Sequence, residues 1–275
     1  MSPGDHPELD DSPFLNDELK TRYQSNIGIL QWISTSGRFD ITYAVSSLSR
    51  FSANPREGHI RRTEKVLGYL KKYPKKGYII DSRSPVVNIP YEDLVPDFGN
   101  QYSDFKEEVD DKLPAQKMKE LDINIFVDSD HGHNRVTGLS ITGMIAFVGR
   151  TPIFWLSKRQ GAVQTATFGA EFTALKRAVE EAVTLRYYLR SMGVRVTKPS
   201  IIYGDNLSAI VNATTPGSQL KKKYLALSYH YCREHFSAGI VNIRRIDGQY
   251  NYADPFTKAQ GGTEFHGHFN EITEN

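Results

Sequence analysis

Cysteine is almost absent from this 275-residue chain. Cys232 stands alone, so neither an intrachain disulfide nor a cysteine-based zinc site can form. Long hydrophobic runs are missing as well. A membrane-spanning helix needs roughly 18 apolar residues, and the best stretch, Ile141 to Val148, is broken by Thr142 and Gly143. The opening residues, Met1-Ser-Pro-Gly-Asp5, have no apolar core of the kind a signal peptide carries. A reducing compartment, cytosol or nucleus, and no membrane partner are therefore expected. Wholesale disorder is excluded, because 39% of residues are hydrophobic and 24% charged.

Net charge is small too, at +2, but the balance hides segments of opposite sign. Residues 1–20 carry six acids against Lys20, and residues 50–76 carry nine bases against Glu57 and Glu64. Residues 82–120 turn acidic again, with nine acids and five bases, while residues 122–260 hold 17 bases and ten acids. A basic half with a few isolated acids suits a polyanionic partner.

Hydrophobic spacing divides the chain in a similar way. Residues 1–22 read as a polar tail. Helical stripes at 23–35, 40–51 and 57–70 make a small helical segment over 23–80, with Ser52-Ala-Asn-Pro55 stopping the second. Residues 81–121 contain Pro85, Pro90, Pro96 and Pro114 without a sustained period, and read as a linker or insertion. From 122 to 260 the pattern becomes strand, strand, strand, helix, strand, helix, helix, strand, with a last helix opened by Asp254. Three antiparallel strands followed by crossovers predict an α/β fold, a mixed five-stranded sheet flanked by helices. Residues 261–275 read as a second tail. Trp32 and Trp155 are expected in the core.

Chemistry gathers at four acids. Asp128 and Asp205 each follow an apolar strand, Glu171 lies in the first turn of the long helix, and Asp254 opens a late segment. Open sheets place ligands at the carboxyl ends of their strands. Carboxylates that converge there cannot all stay ionised without a cation, and a hard divalent metal meets that need. A pair of Mg²⁺ ions about 4 Å apart can activate water and stabilise the leaving oxygen of a phosphodiester. His131-Gly-His133 and His266-Gly-His268 lie on no strand and have no cysteine beside them, so they read as structural.

The neighbours of these acids occur in a fixed order: Phe126-Val-Asp-Ser129, Ser140-Ile-Thr-Gly143, Thr151 to Gln160, Thr165 to Phe172, Tyr203-Gly-Asp-Asn206 and Ala253-Asp-Pro-Phe-Thr-Lys258. This resembles the ribonuclease H domain of copia-type LTR-retrotransposon polyproteins. Upstream, Tyr23 to Trp32, Gly37-Arg-Phe-Asp40 and Ser49 to Pro55 resemble the segment after the polymerase core of the same polyproteins. The resemblance implies a ribonuclease H-like fold and cleavage of the RNA strand of RNA–DNA hybrids, leaving 3′-hydroxyl and 5′-phosphate ends. It implies that Asp128, Glu171, Asp205 and Asp254 bind two Mg²⁺ ions, with Mn²⁺ as the alternative. Asn206 and a Ser157-Lys158-Arg159-Gln160 loop correspond to positions that approach the hybrid. Lys221, Lys222, Lys223, Arg244 and Arg245 would hold phosphates without reading sequence.

Two departures temper that implication. No Tyr-x-Asp-Asp turn follows a strand, so no polymerase activity is expected, and a polymerase domain or subunit on another chain is the natural partner. Tyr224 stands where the family usually has histidine. The expected setting is a cytoplasmic virus-like particle or the nucleus. The rival reading is a weak or inactive ribonuclease H-like domain that binds nucleic acid or protein.

Overall fold

The computed structural model describes residues 2–83, 90–93, 98–99, 101–220, 222–270 and 273–274. Asn16 starts the first helix: its Oδ1 accepts the Leu19 amide at 2.9 Å, and α1 runs Asp17–Thr35. With α2 (Thr42–Ser49) and α3 (Glu57–Lys72) it closes a small core of Tyr23, Ile27, Leu30, Val45, Leu48 and Val66. Trp32 is not in that core. It sits off the Tyr23–Ile27–Leu30–Ser34 stripe and is 70% exposed.

The first residues do not form a free tail. Asp5 and Asp10 pair with Arg62 of α3, and the Pro7 carbonyl accepts His59 Nε2 at 2.9 Å. The acidic start and the basic segment at 50–76 thus satisfy part of each other's charge.

Short strands β1 (Gly77–Tyr78) and β2 (Tyr91–Asp93) lead into the main sheet. There follow β3 (Ile123–Asp130), β4 (Ile141–Val148), β5 (Thr151–Arg159), α4 (Thr167–Ser191) and β6 (Ser200–Gly204). The chain then forms α5 (Leu207–Thr214), α6 (Ala226–Ser237), β7 (Val241–Ile246), α7 (Gly262–Asn270) and β8 (Thr273–Glu274). Strands β3, β4 and β5 pair antiparallel, while β3–β6 and β6–β7 pair parallel. This is the expected mixed five-stranded sheet. Strand β2 adds a sixth, antiparallel edge beside β7, and β1 pairs with β8.

The central strands are buried on both faces, which is why they read as nearly continuous apolar runs. Ile125, Val127, Met144 and Ala146 pack with Phe172 and Val179 of α4 and Ile210 of α5. Phe126, Ile145, Phe147 and Tyr203 pack on the other face with Phe256 and Phe269. Phe39 of the helical unit enters this second core, 5.5 Å from the Trp155 ring, and Trp155 Nε1 donates to the Ser34 carbonyl. The helical unit and the sheet therefore share a core.

The described part of the segment read as a linker is held against α4 and the turn that follows it. Glu107 takes Arg186 and Arg190 of α4 in two bidentate pairs, and the Met118 amide donates to the Gly193 carbonyl. Polar pairing and scattered apolar anchors, Phe98, Phe105 and Leu121, tie its described part down, and neither gives a period that the sequence could reveal.

Candidate metal centre

Strand β3 does not stop before Asp128 but carries it, in register with Gly143 of β4. A Cβ on Gly143 would lie 2.7 Å from the Ala253 carbonyl oxygen and 2.9 Å from Phe256 Cβ. Only glycine lets the 253–257 segment cross β4 that closely. Asn251 fixes the same segment to β3: its Nδ2 donates to the Val127 carbonyl at 3.0 Å and its Oδ1 accepts the Ala253 amide. Thr257 then donates its hydroxyl to Asp128 Oδ2 at 2.7 Å.

Around Asp128 the fold gathers Glu171, from the second turn of α4, and Asp205, just past β6. One carboxylate oxygen from each of the three lies within 4.8 Å of the others. Asp254 is not in that group. It opens a short 3₁₀ turn, Asp254–Phe256, rather than a helix. There Lys258 Nζ holds its Oδ1 at 2.6 Å and Gln260 donates to its Oδ2. Its charge still reaches Asp128 and Asp205.

The electrostatics follow from this crowding. Burial pushes the Asp128 carboxyl up to about 7, helped by the charges of Asp205 and Asp254. Burial and then Asp128 and Asp205 push Glu171 up to about 9. Asp205 is raised as well, first by burial and then by Asp254. None of the ion pairs among the described residues involves these three acids; Lys258 is tied to Asp254 and His133 to Asp130. Lys258 and Arg245 reach the cluster only through space, without an ion pair to it, and an all-oxygen set of crowded acids so placed fits a hard divalent ion.

The residues expected to meet nucleic acid divide into two kinds. Ser157, Lys158 and Arg159 belong to strand β5, not to a loop, because they continue the ladder opposite Gly143, Thr142 and Ile141. Ser157 is buried, whereas Lys158 and Arg159 are exposed. Gln160 is buried, donating to Thr142 Oγ1 and the Ala170 carbonyl, and thus clamps β4 to the start of α4. Asn206 caps α5 through its Oδ1, which accepts the Ala209 amide at 3.0 Å, leaving its Nδ2 to donate elsewhere.

Lys222 is half-buried and Lys223 exposed; Lys221 lies outside the described residues. Arg244 and Arg245 sit on β7 opposite Asp93 and Glu92 of the added edge strand, and the Arg244 guanidinium lies 4.2 Å from the Tyr91 ring centre. Three further bases of the domain face inward. Arg186 and Arg190 hold Glu107, and Arg233 donates to the Asn212, Thr215 and Pro216 carbonyls.

The His-x-His pairs go to separate partners. His131 Nε2 meets the Gln164 carbonyl, while His133 bridges Asp130 at 2.6 Å and the Tyr43 hydroxyl at 3.0 Å. His266 lies 3.5 Å from Lys76 Nζ, and His268 Nδ1 meets the Glu264 carbonyl. Tyr224 is 56% exposed and donates to Gln164 Oε1 at 3.1 Å. Sequence reasoning missed Asn251 entirely and gave Thr257 and Gly143 no role, although both belong to the ordered motifs around the acids.

No protein-family model matches the chain. It is similar to retrovirus-related Pol polyproteins of transposons. It is 26% identical to that of transposon RE1 from Arabidopsis thaliana over 89% of this chain and 14% of the relative. It is 24% identical to that of transposon TNT 1-94 from Nicotiana tabacum, over 90% of this chain and 16% of the relative. The chain thus spans about one seventh of the relatives' length. Among solved structures, it is similar to the N-terminal RNase H domain of a Mycobacterium tuberculosis protein, at 15% identity and a TM-score of 0.39. That match covers 55% of this chain and 99% of the other. A compost-derived RNase H1 in complex with an RNA/DNA hybrid is 16% identical, with a TM-score of 0.39, over 49% of this chain and 93% of that one.

Proposed function

We propose that the sheet domain hydrolyses the RNA strand of RNA–DNA hybrids, as the ribonuclease H part of a retrotransposon polyprotein. The observation that carries this reading is the convergence of Asp128, Glu171 and Asp205 oxygens within 4.8 Å, without a paired cation. Those three residues would hold the metal, with Asp254 adding negative charge beside them. A bound divalent cation supplies positive charge to the phosphate and lowers the pKa of its water.

The rest is the work of the chain's own groups. Lys158, Arg159, Lys222 and Lys223 offer cations to flanking phosphates, which positions the strand without reading bases. The Asn206 amide is the donor beside Asp205 that can meet a 2′-hydroxyl, the group that marks RNA. Thr257 keeps Asp128 turned into the cluster by its 2.7 Å hydrogen bond. Hydrolysis then adds water at phosphorus and breaks the bond to the 3′ oxygen, giving 3′-hydroxyl and 5′-phosphate ends.

A labelled hybrid titrated with Mg²⁺ tests the reading. RNA-strand fragments that appear with metal and stop with chelator are expected. An intact RNA strand at saturating Mg²⁺ or Mn²⁺, with the hybrid bound, would leave the rival reading of a non-catalytic binding domain.

A further inference from the structure

Helix α3 turns Lys65, Gly68, Tyr69 and Lys72 toward the segment that follows Asp254, across a cavity of about 550 Å³. Their i, i+3, i+4, i+7 spacing makes one stripe on the helix. Phe265 and His266 of α7 form the opposite wall, and Lys258 lines the end nearest Asp254. The volume falls within the roughly 300–1,000 Å³ of small-ligand sites.

The lining has an excess of positive charge. Lys65 and Lys72 are exposed and make no ion pair among the described residues. Lys76 approaches His266 from behind, and the imidazole's proton affinity is lowered by burial and then by Lys76 and Lys72. The buried carboxylate in the wall, Asp40, is already satisfied. Arg38 donates to both of its oxygens at 3.0 and 2.9 Å, and the Tyr69 hydroxyl adds a third bond at 2.8 Å. Between the cations stand aromatic rings: Tyr69 lies 5.0 Å from Tyr73 and 6.0 Å from Phe265, centre to centre. Cations beside aromatic rings are the combination that holds unpaired nucleotides, phosphate to ammonium and base to ring.

We propose that this cavity takes one unpaired nucleotide of a single-stranded nucleic-acid segment, its base against the tyrosine and phenylalanine rings and its phosphate at Lys65 and Lys72. The site goes beyond the cleavage reading and needs no metal. It would let the helical unit hold a strand that runs past the hybrid.

The test uses the full chain in EDTA at low salt, with fluorescence anisotropy of labelled oligothymidylate and of an abasic strand of equal charge. Wild type is expected to prefer the thymidylate by at least ~10-fold, the scale of one base stacked on an aromatic ring. A Cβ at Gly68 would meet nothing within 4 Å, so Gly68→Leu fills the cavity, and it replaces glycine with a better helix former. It should weaken thymidylate binding ~10-fold or more without lowering Tm, at a contrast scale set by that same lost stacking. The double variant Lys65→Ala, Lys72→Ala should weaken binding of both strands. Equal wild-type affinity for the two strands, or full binding by Gly68→Leu, would overturn the proposal. Cleavage is not read here, so a failed nuclease assay and a failed binding assay remain distinguishable.

Discussion

Two groups of buried charge lie toward opposite ends of α4, and they are built in contrary ways. At the back, Glu107 sits between Arg186 and Arg190, which hold its two oxygens at 2.6–2.8 Å. Its carboxyl is held down to about 2, because the two guanidinium groups outweigh its burial. At the front, Asp128, Glu171 and Asp205 face one another with no such partner, and their proton affinities rise instead. The same cost of burying charge is offset in one place and left open in the other. A structural cluster closes on itself, whereas a site that expects a cation from outside cannot.

The largest effect should come from the front cluster. Asp205→Asn keeps shape but removes a charge, and cleavage of a labelled hybrid should fall by at least ~10²-fold, the scale of one positioned electrostatic group. The metal-free variant should be at least as stable as wild type, because a repelling charge is gone. Wild-type cleavage by this variant would erase the functional half of the contrast.

At the back the opposite result is expected. Glu107→Gln leaves Arg186 and Arg190 with one weakened acceptor between them, and urea unfolding should show a loss of about 2 kcal/mol, less than for a fully enclosed pair. Cleavage per folded molecule should not change. A stable Glu107→Gln protein would show that the linker pairing contributes little.

Acidity should separate the clusters next. The folded values of about 7 for Asp128 and about 9 for Glu171 lie above the ordinary carboxylate range, so the metal-free fold binds protons that the unfolded chain has released. Their contribution is therefore full below about pH 4 and is lost as pH rises through those two values. Glu107 runs the other way, contributing above about pH 4 and failing as pH falls toward about 2. Tm in EDTA should fall by at least ~3 °C from pH 5 to pH 9, and saturating Mg²⁺ should remove most of that fall. A flat profile in EDTA would mean that neither burial nor mutual repulsion raises the front acids.

The smallest effect concerns solvent-facing cations. Replacing Lys222 and Lys223 with Ala should lower the log–log salt slope of hybrid binding by about one for each phosphate left without its lysine. The buried Arg186, Arg190 and Arg233 should leave that slope untouched in any variant that still folds. An unchanged slope for the lysine pair would shift the nucleic-acid surface toward Lys158 and Arg159.

Much of this was legible in the chain. Apolar runs at 123–127 and 141–148 located the central strands, since strands buried on both faces leave a nearly continuous hydrophobic record, whereas β7 is marked only by Val241, Ile243 and Ile246 among polar residues. The spacing of acids at strand ends located Asp128 and Asp205. The order of charge segments predicted attraction between 1–20 and 50–76 only in retrospect, because composition does not say whether opposite charges meet each other or a ligand.

What the sequence determined by itself were the features carried by local pattern: helix stripes, strand runs, the exclusion of disulfides and the identity of the acids. Tertiary structure decided which acids meet. Asp254 lies beside the cluster instead of within it, because a 3₁₀ turn offers it to Lys258 and Gln260. It also decided which cations can face a ligand, turning Arg186, Arg190 and Arg233 inward. Such pairings depend on distances between residues tens of positions apart. The closure of the two cores, one around α4 and one around Phe39, Phe126 and Phe256, fixes those distances.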